Sequence, residues 1–116
     1  MDFITKIFGA PTAGIGPTEA QAKLSQKGKP FLLDVRQPEE FRSEHIQGAK
    51  LIPLGELQQR MNELPKDQEI ICVCRSGNRS QTAARQLAAA GYTVVNLNGG
   101  MMAWMRAGLP VKKGGA

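Results

Sequence analysis

The chain has 116 residues, 41% hydrophobic and 22% charged, with a formal net charge of +5. That length suits one domain with a single core. No apolar run approaches the roughly 18 residues of a membrane span. Met1 to Phe8, with an acid at position 2, lacks the features of a secretory signal, so a reducing cytoplasm is the expected compartment. The basic residues are scattered and lack a stripe with interleaved aromatics, which argues against a nucleic-acid partner. Two cysteines and one histidine are too few for a structural zinc site or a disulfide framework. No metal is expected within one subunit.

In chain order, residues 1–13 read as an arm or linker, with Phe3, Ile4, Ile7 and Phe8 at helical spacing. Ala13 to Gly16 is a candidate edge strand. Thr18-Glu19-Ala20-Gln21 has the pattern of a capping box, with Thr18 as N-cap of a helix that stops at Gly28. Phe31 to Val35 is an apolar run closed around Asp34, which suits a strand covered on both faces. Pro38 suits the first position of a short helix, Glu39 to about Ser43. Ala49 to Ile52 is a short strand. Leu54, Leu57, Met61 and Leu64 then recur every three or four residues, predicting an amphipathic helix ended by Pro65.

Glu69 to Val73 predicts a buried strand, and Gln81 to Ala90 an Ala-rich helix with Gly91 as its C′ residue. Thr93 to Leu97 predicts another strand, and Met101 to Arg106 a final helix with Trp104 inward. Strands alternating with helices define an α/β class: a mainly parallel sheet of four or five strands with helices on both faces. Ligands of such sheets bind outside the carboxyl ends of the strands, where both Asp34 and Cys74 fall.

Between strand and helix lies Cys74-Arg75-Ser76-Gly77-Asn78-Arg79-Ser80. A cysteine reacts as its thiolate. Arg75, Arg79 and the following helix N-terminus are each expected to favour that form, and the loop amides can converge into an anion nest. Gly77 permits the backbone turn, while Ser76, Asn78 and Ser80 can hold it through side-chain hydrogen bonds. Cys72, inside the strand, reads as core. Asp34 reads as a supporting residue of the rim, and His45 as a packing or hydrogen-bonding residue.

This loop resembles the active-site loop of rhodaneses. Three further segments agree in order: Leu33-Asp34-Val35-Arg36-Gln37-Pro38-Glu39-Glu40-Phe41; His45-Ile46-Gln47-Gly48-Ala49 with Ile52-Pro53-Leu54; and Leu97-Asn98-Gly99-Gly100 with Ala103-Trp104 and Gly108 to Val111. Glu44 and Gln47 depart from the glycine and proline that flank the His-Ile pair in that family. The resemblance implies a rhodanese domain over 14–111, a flexible tail over 112–116, and a three-layer fold.

It also implies a thiosulfate sulfurtransferase working through a Cys74 persulfide. The donor would be a small anionic sulfur compound. The acceptor would be cyanide or a thiol, such as glutathione, thioredoxin or a protein thiol. Arg75 to Ser80 would bind substrate, with Asp34 and Arg36 supporting the rim. Phosphatases and arsenate reductases of related fold use Cys-x5-Arg, one residue longer than the Cys-x4-Arg found here. A non-catalytic binding module is the other alternative, although such modules commonly lose the cysteine.

Overall fold

A computed structural model describes residues 13–115. The expected arm, including the spacing of Phe3, Ile4, Ile7 and Phe8, lies outside the described residues except for Ala13. Five strands form one sheet: β1 (Gly14–Ile15), β2 (Phe31–Asp34), β3 (Lys50–Leu51), β4 (Ile70–Val73) and β5 (Val94–Leu97). Their spatial order is β1-β5-β4-β2-β3, and every pairing is parallel.

All four residues of β4 are buried, because the central strand is covered above and below. Alternation sends successive residues to opposite faces. Leu33, Ile70, Cys72 and Cys74 join one core, and Leu32, Ile71, Val73 and Leu97 join the other. Helix α1 (Pro17–Leu24) and helix α5 (Gly100–Arg106) cover the second core through Ala20, Met101 and Trp104. The first core is covered by helix α4 (Asn78–Ala89) and by the 54–64 segment. Helix α2 (Pro38–Ser43) leaves the rim just beyond β2 and buries Phe41.

Several local expectations change. The N-cap of α1 is Gly16, not Thr18: Pro17 takes the first helical position, where its missing N–H costs nothing, and no side chain caps the end. That helix closes at Leu24, and Gly28, with φ +72°, belongs to the turn beyond it. The helix expected over 54–64 is three short pieces: a 3-10 turn at Leu54–Glu56, helix α3 (Leu57–Arg60), and a 3-10 turn at Met61–Glu63. Burial of Leu57 and Leu64 is satisfied by those turns without one continuous helix.

The end of α4 follows the sequence closely. Gly91, at φ +95°, donates to Ala88 O, and Tyr92 donates to Leu87 O, the paired bonds of a Schellman motif. Within the segment expected as a flexible tail, Lys112 and Gly114 make backbone hydrogen bonds to His45 and Arg42. His45 and Lys112 exchange backbone hydrogen bonds of 2.8 Å, and Gly114 N–H donates to Arg42 O at 2.8 Å. His45 stacks on Phe41 at 3.8 Å between ring centroids, and its Nδ1 lies 2.9 Å from Phe41 O.

Candidate active site

Cys74 directly follows β4, and Gly77 caps α4 with φ +105°. The helix begins at Asn78, three residues earlier than the composition suggested. Arg79 and Ser80 are thus in its first turn, and only Arg75, Ser76 and Gly77 link Cys74 to the helix. This short link folds the Gly77 N–H back to 3.1 Å from Cys74 Sγ. The Ser80 hydroxyl lies 3.3 Å from the same sulfur.

Cys74 is 1% exposed, and its thiol is nevertheless held below the usual range. Burial opposes ionisation, but it is outweighed by the Ser80 hydroxyl and by the backbone N–H groups of Ser80, Gly77 and Ser76. The dominant support is hydrogen bonding, not the arginine charges expected from the sequence. Cys72, fully buried in β4, is driven the opposite way by burial first and by Cys74 second. It is a neutral core thiol.

The two loop arginines differ sharply. Arg75 is exposed and forms no salt bridge among the described residues. Arg79 makes a two-pronged pair with Glu40 of α2: Nη1 to Oε1 at 2.7 Å and Nη2 to Oε2 at 2.8 Å. Glu40 is fixed in turn, because its Oε1 also accepts the Gln37 N–H at 3.0 Å. The Arg79 guanidinium holds the Glu40 carboxyl at about 2, well below its ordinary value, with burial opposing and the Gln37 amide assisting. Ser76 and Asn78 are exposed and make no side-chain hydrogen bond to the loop, so the turn is held by Ser80 alone of the three polar residues expected to do so.

Asp34 stands in register with Val73, one residue before Cys74 on the neighbouring strand. Its carboxylate is fully buried and receives Arg36 Nε at 3.0 and 3.1 Å, Arg36 Nη2 at 2.9 Å and the Arg36 N–H at 3.0 Å. Arg36 also donates to Glu44 O at 2.7 Å and Glu40 O at 3.3 Å. This buried pair anchors α2 to the rim and thereby positions Glu40 against Arg79. Neither Asp34 nor Arg36 makes a hydrogen bond to the Cys74 thiol among the described residues.

Three contributors escaped the sequence reading. Asn96 of β5 sits 2.5 Å from Ser80 Oγ through Oδ1 and donates from Nδ2 to Gly77 O at 3.2 Å. A polar residue interrupting Val94-Val95-Asn96-Leu97 was the available signal. The N-terminus of α5 grips the loop, with Met101 N–H on Cys74 O at 2.8 Å and Met102 N–H on Arg75 O at 3.0 Å. Gly100 makes that approach possible, since a Cβ there would lie 2.3 Å from Cys74 O and 2.6 Å from Arg75 O. Glu40 was in a quoted motif but had no assigned role.

The chain is therefore an α/β protein with a parallel sheet, in which a hydrogen-bonded thiol sits at a strand end beside a helix N-terminus. The family model for the Rhodanese-like domain matches residues 16–107, and the chain belongs to that family. It is 43% identical over 82 residues to a sulfurtransferase of Allochromatium vinosum, covering 70% of this chain and 77% of that protein. It is 37% identical over 110 residues to an HTH-type transcriptional regulator of Mycobacterium tuberculosis, covering 93% of this chain and 48% of the regulator. The chain thus spans about half the length of some relatives it matches. Among solved structures, a rhodanese-related protein from Thermoplasma volcanium superposes with a TM-score of 0.81 at 29% identity, covering 86% of this chain and 97% of that one. Among the described residues, no helix is long and apolar enough to cross a membrane.

Proposed function

We propose that the chain is a sulfurtransferase that carries sulfane sulfur as a persulfide on Cys74. The observation that carries this reading is the pair of donors on Cys74 Sγ, the Gly77 N–H at 3.1 Å and the Ser80 hydroxyl at 3.3 Å. Together they favour a thiolate in a site closed to bulk water. The family membership, with a relative named as a sulfurtransferase, supports the same chemistry.

With thiosulfate as donor, the Cys74 thiolate attacks the outer, sulfane sulfur. A new S–S bond forms, the bond between the two donor sulfurs breaks, and sulfite leaves with that electron pair. The product is a Cys74 persulfide anion, so charge and atoms balance. An acceptor thiolate, or cyanide, then attacks the terminal sulfur and restores the Cys74 thiolate. No metal or organic cofactor takes part.

Arg75, exposed and without a salt bridge among the described residues, carries the positive charge that draws an anionic donor to the rim, with Arg79 beside it. The N–H groups of Ser76, Gly77 and Ser80 are fixed dipoles facing the sulfur, and they replace hydration as the persulfide forms. Asp34 and Arg36 keep the rim in place. The shorter Cys-x4-Arg loop suits one added sulfur atom better than a tetrahedral oxyanion. Intact mass after incubation with thiosulfate tests the reading: a species one sulfur atom heavier is expected, and it is absent from Cys74→Ser.

A further inference from the structure

We propose that Glu40 is a specificity-determining residue: by pairing with Arg79 it lowers the positive charge at the mouth of the Cys74 loop and turns the site away from dianionic sulfur donors toward donors of lower charge. This inference rests on the sulfurtransferase reading and deepens it.

Counted from the sequence, the loop has two cations. In the structure it has one free cation among the described residues, because Arg79 gives a hydrogen bond to each oxygen of the Glu40 carboxylate, at 2.7 and 2.8 Å. The pairing is built in from both sides. Arg79 sits in the first turn of α4, and Glu40 is held by the Gln37 N–H at the start of α2. Arg36, locked on buried Asp34, donates to Glu40 O and fixes the backbone of that turn. A donor anion seeking Arg79 must therefore compete with a pre-positioned carboxylate. Arg75 faces solvent free of such a partner among the described residues.

A donor feels Glu40 in proportion to its own charge. One unit charge several Å from another, in water-like surroundings, alters an equilibrium about threefold, so a dianion is disfavoured about threefold more than a monoanion. Glu40 acts through Arg79 and through the field at the loop. It does not touch the reacting sulfur.

Thiosulfate and benzenethiosulfonate separate the charge effect from the chemistry. Each presents a terminal sulfane sulfur to Cys74; thiosulfate leaves as sulfite, and benzenethiosulfonate leaves as benzenesulfinate with the bonding electron pair. The experiment is single-turnover persulfide formation followed by quenched-flow intact mass, without acceptor, in wild type, Glu40→Gln and Glu40→Asp. The E40Q amide oxygen still accepts from Gln37, so the start of α2 keeps its cap.

Expected is an increase of about tenfold in the second-order rate constant of E40Q with thiosulfate and about threefold with benzenethiosulfonate. The gain should lie in apparent donor affinity and not in the limiting rate, and it should shrink at high salt. Glu40→Asp, which keeps the charge, should retain the wild-type donor ratio. A donor ratio in E40Q equal to wild type, or slower reaction with thiosulfate, overturns the inference while leaving the persulfide reading intact. If wild type gains no sulfur from either donor, the persulfide reading itself falls, and this inference falls with it.

Discussion

The hydroxyl of Ser80 lies 2.5 Å from Asn96 Oδ1, 3.3 Å from Cys74 Sγ and 3.3 Å from Gly77 O, with one proton to share among them. Ionisation of the thiol makes the sulfur the stronger acceptor, so the distribution of that proton is coupled to thiolate formation. Ser80→Ala removes one of the donors that hold the thiol below its usual range. Its titration should move to higher pH, and persulfide formation at neutral pH should slow by roughly three- to tenfold, the loss of a hydrogen bond of about 1 kcal/mol. In Asn96→Ala the hydroxyl loses its nearest competitor, and the titration should move to lower pH. The pH dependence of Cys74 alkylation reads both shifts. Equal shifts in one direction would contradict a shared proton.

Asp34 and Arg36 form a buried ion pair, and Arg36 also donates to Glu40 O, to Glu44 O and, at 3.3 Å, to the partly exposed Glu44 carboxylate. Removing Asp34 leaves the buried Arg36 charge with that longer, partly solvated pair alone. Asp34→Ala should therefore destabilise the fold by about 3–5 kcal/mol, measured by urea unfolding. A change below about 1 kcal/mol would mean that water reaches Arg36 on the folded rim.

The Glu40–Arg79 pair predicts a pH-dependent contribution to stability. Glu40 is depressed to about 2 from an ordinary value of 4.5. Its contribution is complete above the unfolded value, diminishes as pH falls below about 4.5, and is lost on passing through about 2. The stability difference between wild type and Glu40→Gln should be constant above about pH 5 and vanish near pH 2. Because the pair is partly solvated, the plateau should be under about 1 kcal/mol. Denaturant titrations across that range provide the check.

Gly100 carries a positive φ of +56° and lies where a side chain would strike the carbonyls of Cys74 and Arg75. Both obstacles are backbone, so neither can swing aside. Gly100→Ala should cost about 2 kcal/mol or more and slow sulfur transfer by displacing the loop. If crystals of that variant retained the loop and full activity, the contact between α5 and the loop would not be what shapes it.

The fold was readable because apolar runs, turn glycines and helix signals agreed along the chain. Val73 and Leu32 declare strands buried on two sides, and Gly91 declares a helix end. Local patterns failed where a neighbouring residue offered a better arrangement: Pro17 displaced Thr18 from the cap, and the short turns around α3 replaced a single helix. At the site, Cys74, Ser80 and Gly77 stood out because their spacing brackets a strand-to-helix turn. Asn96 and Glu40 did not, since each reaches the loop from a distant segment. The cost of missing Glu40 was an overestimate of the positive charge around the thiol.

The most direct test of the account is intact mass spectrometry of the purified chain before and after thiosulfate, alongside Cys74→Ser and Cys72→Ser. Wild type and Cys72→Ser should each gain one sulfur atom, lost again on addition of cyanide or a thiol, and Cys74→Ser should gain none. An unchanged wild-type mass, or a sulfur gain that survives in Cys74→Ser, would contradict it.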